Sequence, residues 1–149
     1  MNLLEEFRAV VTILNDNAVP YAVCGGMAMA VYGHARATQD IDILVASTSI
    51  EDALTVLARL GYQEVSRLSV GQGQVRMIRT MKTSGTEHLT VDILEAPDAG
   101  EEAWTHRQLI ETEFGPVWFA SKAGLIDMKR HSGRLQDLAD IERLEGGSS

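Results

Sequence analysis

The segment Asp40-Ile41-Asp42-Ile43 constrains the fold of this chain more than any other stretch. In an extended strand, successive side chains point to opposite faces of the sheet, so the two isoleucines share one face and the two aspartates share the other. Carboxylates held about 6–7 Å apart along a strand repel each other unless a cation lies between them. The segment therefore predicts a sheet with one face against the core and a charged site on the other face.

A later segment, Thr90-Val91-Asp92-Ile93-Leu94, repeats this pattern with a single carboxylate. If the two strands are neighbours, Asp92 joins Asp40 and Asp42. Three such acids can bind two divalent metal ions about 3.5–4 Å apart, which is the arrangement used in phosphoryl and nucleotidyl transfer. We expect Mg²⁺, with Mn²⁺ as an alternative, because Mg²⁺ takes oxygen ligands from one or two carboxylates, waters and substrate phosphates.

Gly25-Gly26 lies at a predicted turn from a strand into a helix. Glycines allow backbone N–H groups to approach an anion closely, and the start of a helix adds the positive end of its dipole. The pair therefore predicts a phosphate-binding turn without basic side chains. It differs from a P-loop, because no Gly-Lys-Ser/Thr follows.

Hydrophobic periodicity predicts helices at both ends of the chain and strands between them. Asn2, Ser49 and Ser121 are predicted to cap helices, and Gly115-Pro116 is predicted to form a hairpin turn. Leu138 is predicted to lie on the apolar stripe of the last helix. The predicted helices cover residues 3 to about 17, 27–32, 49–60, 100–106, 121–131 and 134–144, and the predicted strands cover 21–24, 41–46, 62–68, 74–81, 88–94, 108–114 and 117–119.

This order of elements predicts one α/β (α+β) domain, with a mixed sheet flanked by helices. We expect the domain to span residues 1–145 and residues 146–149 to form a flexible tail. The turn signals at 71–73 and 84–85 separate the central strands.

The chain carries 13 lysines and arginines against 21 acidic residues, a net charge of −8. This argues against a broad footprint on duplex DNA, which needs clustered cations, although one RNA end can still bind in a local pocket. The single cysteine, Cys24, excludes an internal disulfide and favours a reducing compartment. No apolar run approaches the roughly 20 residues of a membrane helix. We therefore expect a cytoplasmic protein without membrane contact.

The order and spacing of these motifs resemble the DNA polymerase β-like nucleotidyltransferase superfamily. Cys24-Gly25-Gly26 is followed after 13 residues by Asp40-Ile41-Asp42-Ile43, and later by Val91-Asp92-Ile93. The string from Arg36 to Asp42 is similar to the branch that contains abortive-infection (AbiE-type) toxins. The stretch from Leu125 to Asp140, with its lysine helix and Arg-x-x-Asp helix, is similar to the same branch, so the resemblance spans residues 20 to 144.

The resemblance implies transfer of a nucleoside monophosphate from a nucleoside triphosphate to an acceptor hydroxyl or phosphate on RNA, protein or a small molecule. Gly25 and Gly26 would hold the triphosphate. Asp40 and Asp42 would ligate the metal ions, and Asp92 would be a third ligand or the base that activates the acceptor.

Four further residues are candidates for the same site. The resemblance implies that Lys129 meets phosphate charge and that Asp137 shapes that end of the site. Arg36 can reach a phosphate and Thr38 can hold the turn before the acids, although a surface salt bridge explains Arg36 equally well. Charged residues also recur every three positions in the last helix, and an i,i+3 ion-pair ladder explains most of them without a catalytic role: Arg134, Asp137, Asp140 and Arg143.

Two other functions remain open at this point. The chain can be a non-catalytic nucleotide-binding, antitoxin or regulatory module on a degenerate transferase fold, or an antibiotic-modifying nucleotidyltransferase whose cationic substrate suits the acidic charge. Active relatives often carry a further helical domain for the acceptor. Apolar surface left uncovered without that domain predicts a homodimer or a partner protein.

Overall fold

The computed structural model describes residues 1–34, 39–70, 75–132 and 135–146. The predictions made for Arg36, Thr38, the turn at 71–73 and the end of the tail at 147–149 lie outside these ranges. The helices are α1 (Leu3–Asp16), α2 (Gly25–Val31), α3 (Ile50–Arg59), α4 (Glu101–Thr105), α5 (Lys122–Ser132) and α6 (Leu135–Gly146). None of these described helices has the length and apolar composition needed to cross a membrane.

All described strands join one mixed sheet, which confirms the predicted fold class. The strands are β1 (Ala22–Cys24), β2 (Asp40–Ala46), β3 (Gln63–Val70), β4 (Val75–Ser84), β5 (Glu87–Ala96), β6 (Gln108–Thr112) and β7 (Gly115–Phe119). Their order across the sheet is β3-β4-β5-β2-β1-β7-β6. The pairs β2–β5 and β1–β7 are parallel and the other pairs are antiparallel.

The alternation in β2 has the predicted effect. Ile41 and Ile43 are fully buried in the main hydrophobic core, whereas the two aspartates lie on the other face. Lys82, three residues after Arg79 in β4, lies on the core-facing side and donates to Glu6 of α1 at 2.9 Å. Helix α1 therefore packs on the face opposite the acids.

Two of the predicted helix caps are present. The side chain of Asn2 accepts a hydrogen bond from the N–H of Glu5 at 3.1 Å, and Ser121 Oγ accepts one from the N–H of Gly124 at 3.0 Å. Ser49 occupies the N-cap position of α3, as predicted, but no side-chain cap bond from it is seen in the described part of the chain. Residues 47–49 already form a 3₁₀ turn, so Ser49 lacks the extended backbone that an N-cap residue adopts.

Two further details differ from the prediction. Gly115 and Pro116 belong to β7, and the hairpin turn falls at residues 113–114 instead. Leu138 is 51% exposed, while Ile141 and Leu144 of the same helix are buried. Helix α6 therefore buries a narrower stripe than its leucine spacing indicates.

Candidate active site

The centre of the candidate site is one row of residues across four strands. In register, Arg79 of β4 pairs with Asp92 of β5, Asp92 with Asp42 of β2, and Asp42 with Cys24 of β1. Residues directly opposite on neighbouring strands point to the same face. The structure therefore brings Asp42 and Asp92 together, as the sequence pattern predicted.

The pKa of Asp42 is strongly shifted from its usual value. Burial raises its pKa to about 7, with further contributions from the negative charges of Asp92 and Asp40, while Lys129 and Arg79 oppose the shift. Its surroundings therefore disfavour the charged form. A cation at this point would reverse that preference, because an opposite charge favours the carboxylate.

Asp92 is held by an arginine that the sequence analysis missed. Arg79 donates from Nε to Oδ1 and from Nη2 to Oδ2 of Asp92, both at 2.9 Å. Asp92 is only 3% exposed, whereas 40% of the Arg79 side chain is exposed. The hydrogen bonds and the charge of Asp92 raise the pKa of the Arg79 guanidinium. The local sequence pattern does not distinguish Arg79 from other polar residues of β4. Its role follows from the register of β4 against β5, which places it opposite Asp92.

Asp40 lies two residues before Asp42, at the first position of β2 and on the same face of the sheet. It pairs in register with Thr90, whose hydroxyl donates to Asp40 Oδ1 at 2.5 Å. Asp40 is exposed to solvent and its carboxylate is oriented by this contact. The strand thus carries one half-buried acid, Asp42, and one exposed acid, Asp40, on the same face.

The donor set fits a divalent cation in part. Within the ranges that the structure describes, no three Asp, Glu, His or Cys side chains are grouped to hold a metal ion. At this site, both oxygens of Asp92 are engaged by Arg79. Asp40 and Asp42 nevertheless supply the one or two carboxylates that Mg²⁺ commonly uses beside waters and phosphates. The metal roles of the three acids therefore stay a prediction.

Gly25 approaches Asp42 too closely for any side chain. A Cβ built on Gly25 would lie 2.1 Å from Asp42 Oδ2, and the glycine has a φ of +65°, in the left-handed region. Gly26, the next residue of α2, is buried. The first glycine is thus required by the acid itself, which the sequence analysis did not anticipate, and the proposed phosphate contact of both glycines stays a prediction.

Lys129 of α5 is buried beside two acids of α6. Its Nζ lies 3.0 Å from Asp140 Oδ2 and 3.9 Å from Asp137 Oδ1, and all three residues are less than 9% exposed. Its positive charge also lowers the pKa of Asp42, so it acts on the acid row. The structure therefore groups Lys129 with Asp137 as expected. Asp140 is buried as well and bonds Lys129 across the two helices, a contact between helices that an i,i+3 ladder along α6 does not include.

Cys24 closes the row but lacks the properties of a nucleophile. It is fully buried, and burial together with the charges of Asp42 and Asp92 raises the pKa of its thiol well above the usual value. The reactive form of cysteine is the thiolate. Cys24 is therefore a core residue.

Similar folds occur among solved structures. ANT(2″)-Ia, in complex with adenylyl-2″-tobramycin, has a TM-score of 0.68 at 13% identity, over 97% of this chain and 88% of that chain. The lincosamide antibiotic adenylyltransferase LnuA, lincomycin-bound, has a TM-score of 0.67 at 16% identity, over 95% of each chain. TM1012 from Thermotoga maritima, proposed to be a nucleotidyltransferase, has a TM-score of 0.68 at 15% identity, over 97% and 92%.

The chain has the nucleotidyltransferase fold. No protein-family profile matches the sequence, and a search of curated proteins finds no match. At 13–16% identity the likeness extends to the fold and does not by itself assign an activity. The acids on β2 and β5 must therefore carry the functional argument.

Proposed function

We propose that this protein is a metal-dependent nucleotidyltransferase. It transfers a nucleoside monophosphate from a nucleoside triphosphate to an acceptor hydroxyl or phosphate. The observation that carries the proposal is the row of Asp42 and Asp92 with Asp40 beside it, on a sheet of the nucleotidyltransferase fold. A scaffold that only binds a partner has no use for acids that raise the pKa of Asp42 to about 7 by burial and mutual repulsion.

The proposed reaction is an in-line displacement at the α-phosphorus. The acceptor oxygen forms a bond to this phosphorus, the bond to the bridging oxygen of the β-phosphate breaks, and pyrophosphate leaves. Bound Mg²⁺, or Mn²⁺, would supply positive charge to the attacking and leaving oxygens. Asp40 and Asp42 would hold it, and Asp92 would serve as a further ligand or accept the proton of the acceptor.

The remaining candidates contribute charge and shape in this proposal. The backbone N–H groups at Gly25 and Gly26 would receive the triphosphate, since the first N–H groups of a helix have no partner within the helix. Lys129 would offset phosphate charge from its buried position, with Asp137 fixing its surroundings. Arg36 and Thr38 remain candidates for nucleotide contacts on sequence grounds.

The acceptor has two candidate classes. A small-molecule acceptor is supported by the fold of two antibiotic-modifying adenylyltransferases, of which the chain spans 88% and 95%. The net charge of −8 also suits a cationic acceptor. The similarity of the motif string to AbiE-type toxins supports the second class, an RNA or protein acceptor and a toxin-like role.

A transfer assay tests the proposal. Each of the four labelled triphosphates is incubated with Mg²⁺, the protein and aminoglycoside, lincosamide, RNA or protein acceptors, and transferred label is measured. We expect transfer to one acceptor class, abolished by Asp42→Asn and by EDTA, and unaffected by the control Asp98→Asn on the exposed surface. Label transfer that persists in Asp42→Asn would overturn the assigned site.

A further inference from the structure

We propose that the Arg79 guanidinium occupies the position of a metal ion at Asp92, so that a metal ion binds Asp92 only when the Arg79–Asp92 pair opens. Arg79 is in this view a positioning residue that sets the order of metal binding. The inference rests on the proposed function, because it concerns the same acids. It adds to the site a residue from β4, a strand on which the sequence motifs place no site residue.

The geometry of the pair supports this role. Arg79 Nε and Nη2 each lie 2.9 Å from a different oxygen of Asp92, so one planar guanidinium engages both oxygens. A metal ion at the same carboxylate would compete for these oxygens and would be repelled by the adjacent positive charge. The guanidinium and a metal ion therefore compete for Asp92.

The exposure of the two partners indicates which one moves. Asp92 is 3% exposed and its strand lies inside the sheet, between β4 and β2. The side chain of Arg79 is 40% exposed. The arginine can swing into solvent without disturbing the core, whereas the aspartate cannot follow it. Opening the pair thus requires movement of Arg79 alone.

The charges around the row explain why the pair forms without a metal ion. Asp92, Asp42 and Asp40 all act on the Arg79 guanidinium. The other cation that acts on Asp42 is Lys129, which bonds Asp140 at 3.0 Å. Among the residues that the structure describes, Arg79 is the cation that donates hydrogen bonds to Asp92. Metal ions should bind first at Asp40 and Asp42, and at Asp92 only after Arg79 is displaced.

A Mn²⁺ titration without nucleotide tests this order. Free Mn²⁺ is followed by electron paramagnetic resonance in the wild type and in Arg79→Met. The matched control is Arg76→Met, which removes another arginine of β4, paired with Glu95 at 2.7 Å on the opposite face of the sheet. We expect Arg79→Met to bind Mn²⁺ at least about fivefold more tightly than the wild type, since a neighbouring positive charge is removed. Arg76→Met should match the wild type.

Thermal unfolding separates this role from a structural one. Arg79→Met leaves a buried carboxylate without its partner, so its Tm without metal should fall, and saturating Mn²⁺ should raise it by more than it raises the wild type. An arginine needed only for folding would lower the Tm equally with and without Mn²⁺. If Arg79→Met does not fold, Arg79→Lys provides the test, because lysine keeps the charge without the two-pronged contact and should give intermediate Mn²⁺ affinity.

The outcomes distinguish the two proposals. Wild-type binding of Mn²⁺ with unchanged affinity in Arg79→Met, or in Arg79→Lys if only that variant folds, overturns the role of Arg79 and leaves the proposed function intact. Failure of every folded variant to bind Mn²⁺, with or without a nucleoside triphosphate, overturns the metal-dependent function and this inference with it.

Discussion

Replacing Asp42 by asparagine should stabilise the metal-free protein at neutral and alkaline pH. In the folded protein the pKa of Asp42 is about 7, against 3.8 for an ordinary aspartate, because of burial and the charges of Asp92 and Asp40. The folded state therefore binds a proton more strongly than the unfolded state. The stability that the folded protein gains from protonated Asp42 is fully present below pH 3.8. It decreases as the pH rises and is lost above a pH of about 7.

The size of the effect follows from this difference. One pH unit corresponds to about 1.4 kcal/mol, so ionised Asp42 destabilises the folded state by at most roughly 4 kcal/mol at pH 8. Solvent reaches part of this carboxylate and reduces the figure. Removing 4 kcal/mol of destabilisation from a chain of this size would raise the Tm by about 8–16 °C, and the solvent exposure of the carboxylate makes the expected rise smaller than this.

Thermal unfolding in EDTA from pH 4 to 8 measures this directly. The Tm of Asp42→Asn should exceed that of the wild type most at pH 8, and the difference should shrink steadily toward pH 4. The exposed Asp98 provides the control, and Asp98→Asn should show a small difference that does not vary with pH. A constant or absent difference for Asp42→Asn across this range would refute the argument that repulsion and burial act on this acid.

Three further predictions concern close packing and buried charge. Gly25→Ala should lower the free energy of unfolding more than Gly85→Ala. Both glycines have a φ near +65°, which costs an alanine about 1–2 kcal/mol, but only a Cβ at Gly25 meets a carboxylate of β2. Equal losses for the two variants would contradict the close approach of Gly25 to Asp42. Lys129→Met should lose about 3–5 kcal/mol and weaken triphosphate binding in calorimetry, while Arg130→Met, from an exposed pair, should lose less than about 1 kcal/mol. Similar losses in free energy of unfolding for the two variants would contradict a stabilising role of the buried Lys129 cluster. Gly124→Ala should lower the Tm, since its Cβ would lie 2.2 Å from the backbone of α4; an unchanged Tm in differential scanning fluorimetry would show that this helix contact adapts.

Local patterns were sufficient to predict the acid pair and the strand that carries Asp92. The period of two in β2 places Asp40 and Asp42 on one face, and the same alternation in β5 places Asp92 on a matching face. These inferences need only the alternation of side chains along a strand. The sequence could not show that β5 is parallel to β2 with Asp42 opposite Asp92, because register depends on contacts between distant segments.

The residues that were missed depend on such distant contacts. Arg79 is one polar residue among several in β4, and its role follows only from its pairing with Asp92. Asp140 meets Lys129 because α5 and α6 pack together, which helical spacing does not reveal. The close approach of Gly25 to Asp42 likewise requires coordinates. Sequence periodicity thus predicted the elements and the ligand types, while the partners of the charges came from the tertiary structure.

Binding of an uncleavable triphosphate tests the central claim most directly, since it does not require the acceptor. An α,β-methylene nucleoside triphosphate is titrated into the protein with Mg²⁺ by calorimetry, for the wild type, Asp42→Asn and the exposed control Asp98→Asn. The account predicts saturable, Mg²⁺-dependent binding for the wild type and the control, and at least a tenfold loss, about 1.4 kcal/mol, in Asp42→Asn. Binding that is unaffected by EDTA and equal in all three proteins would contradict the proposed site.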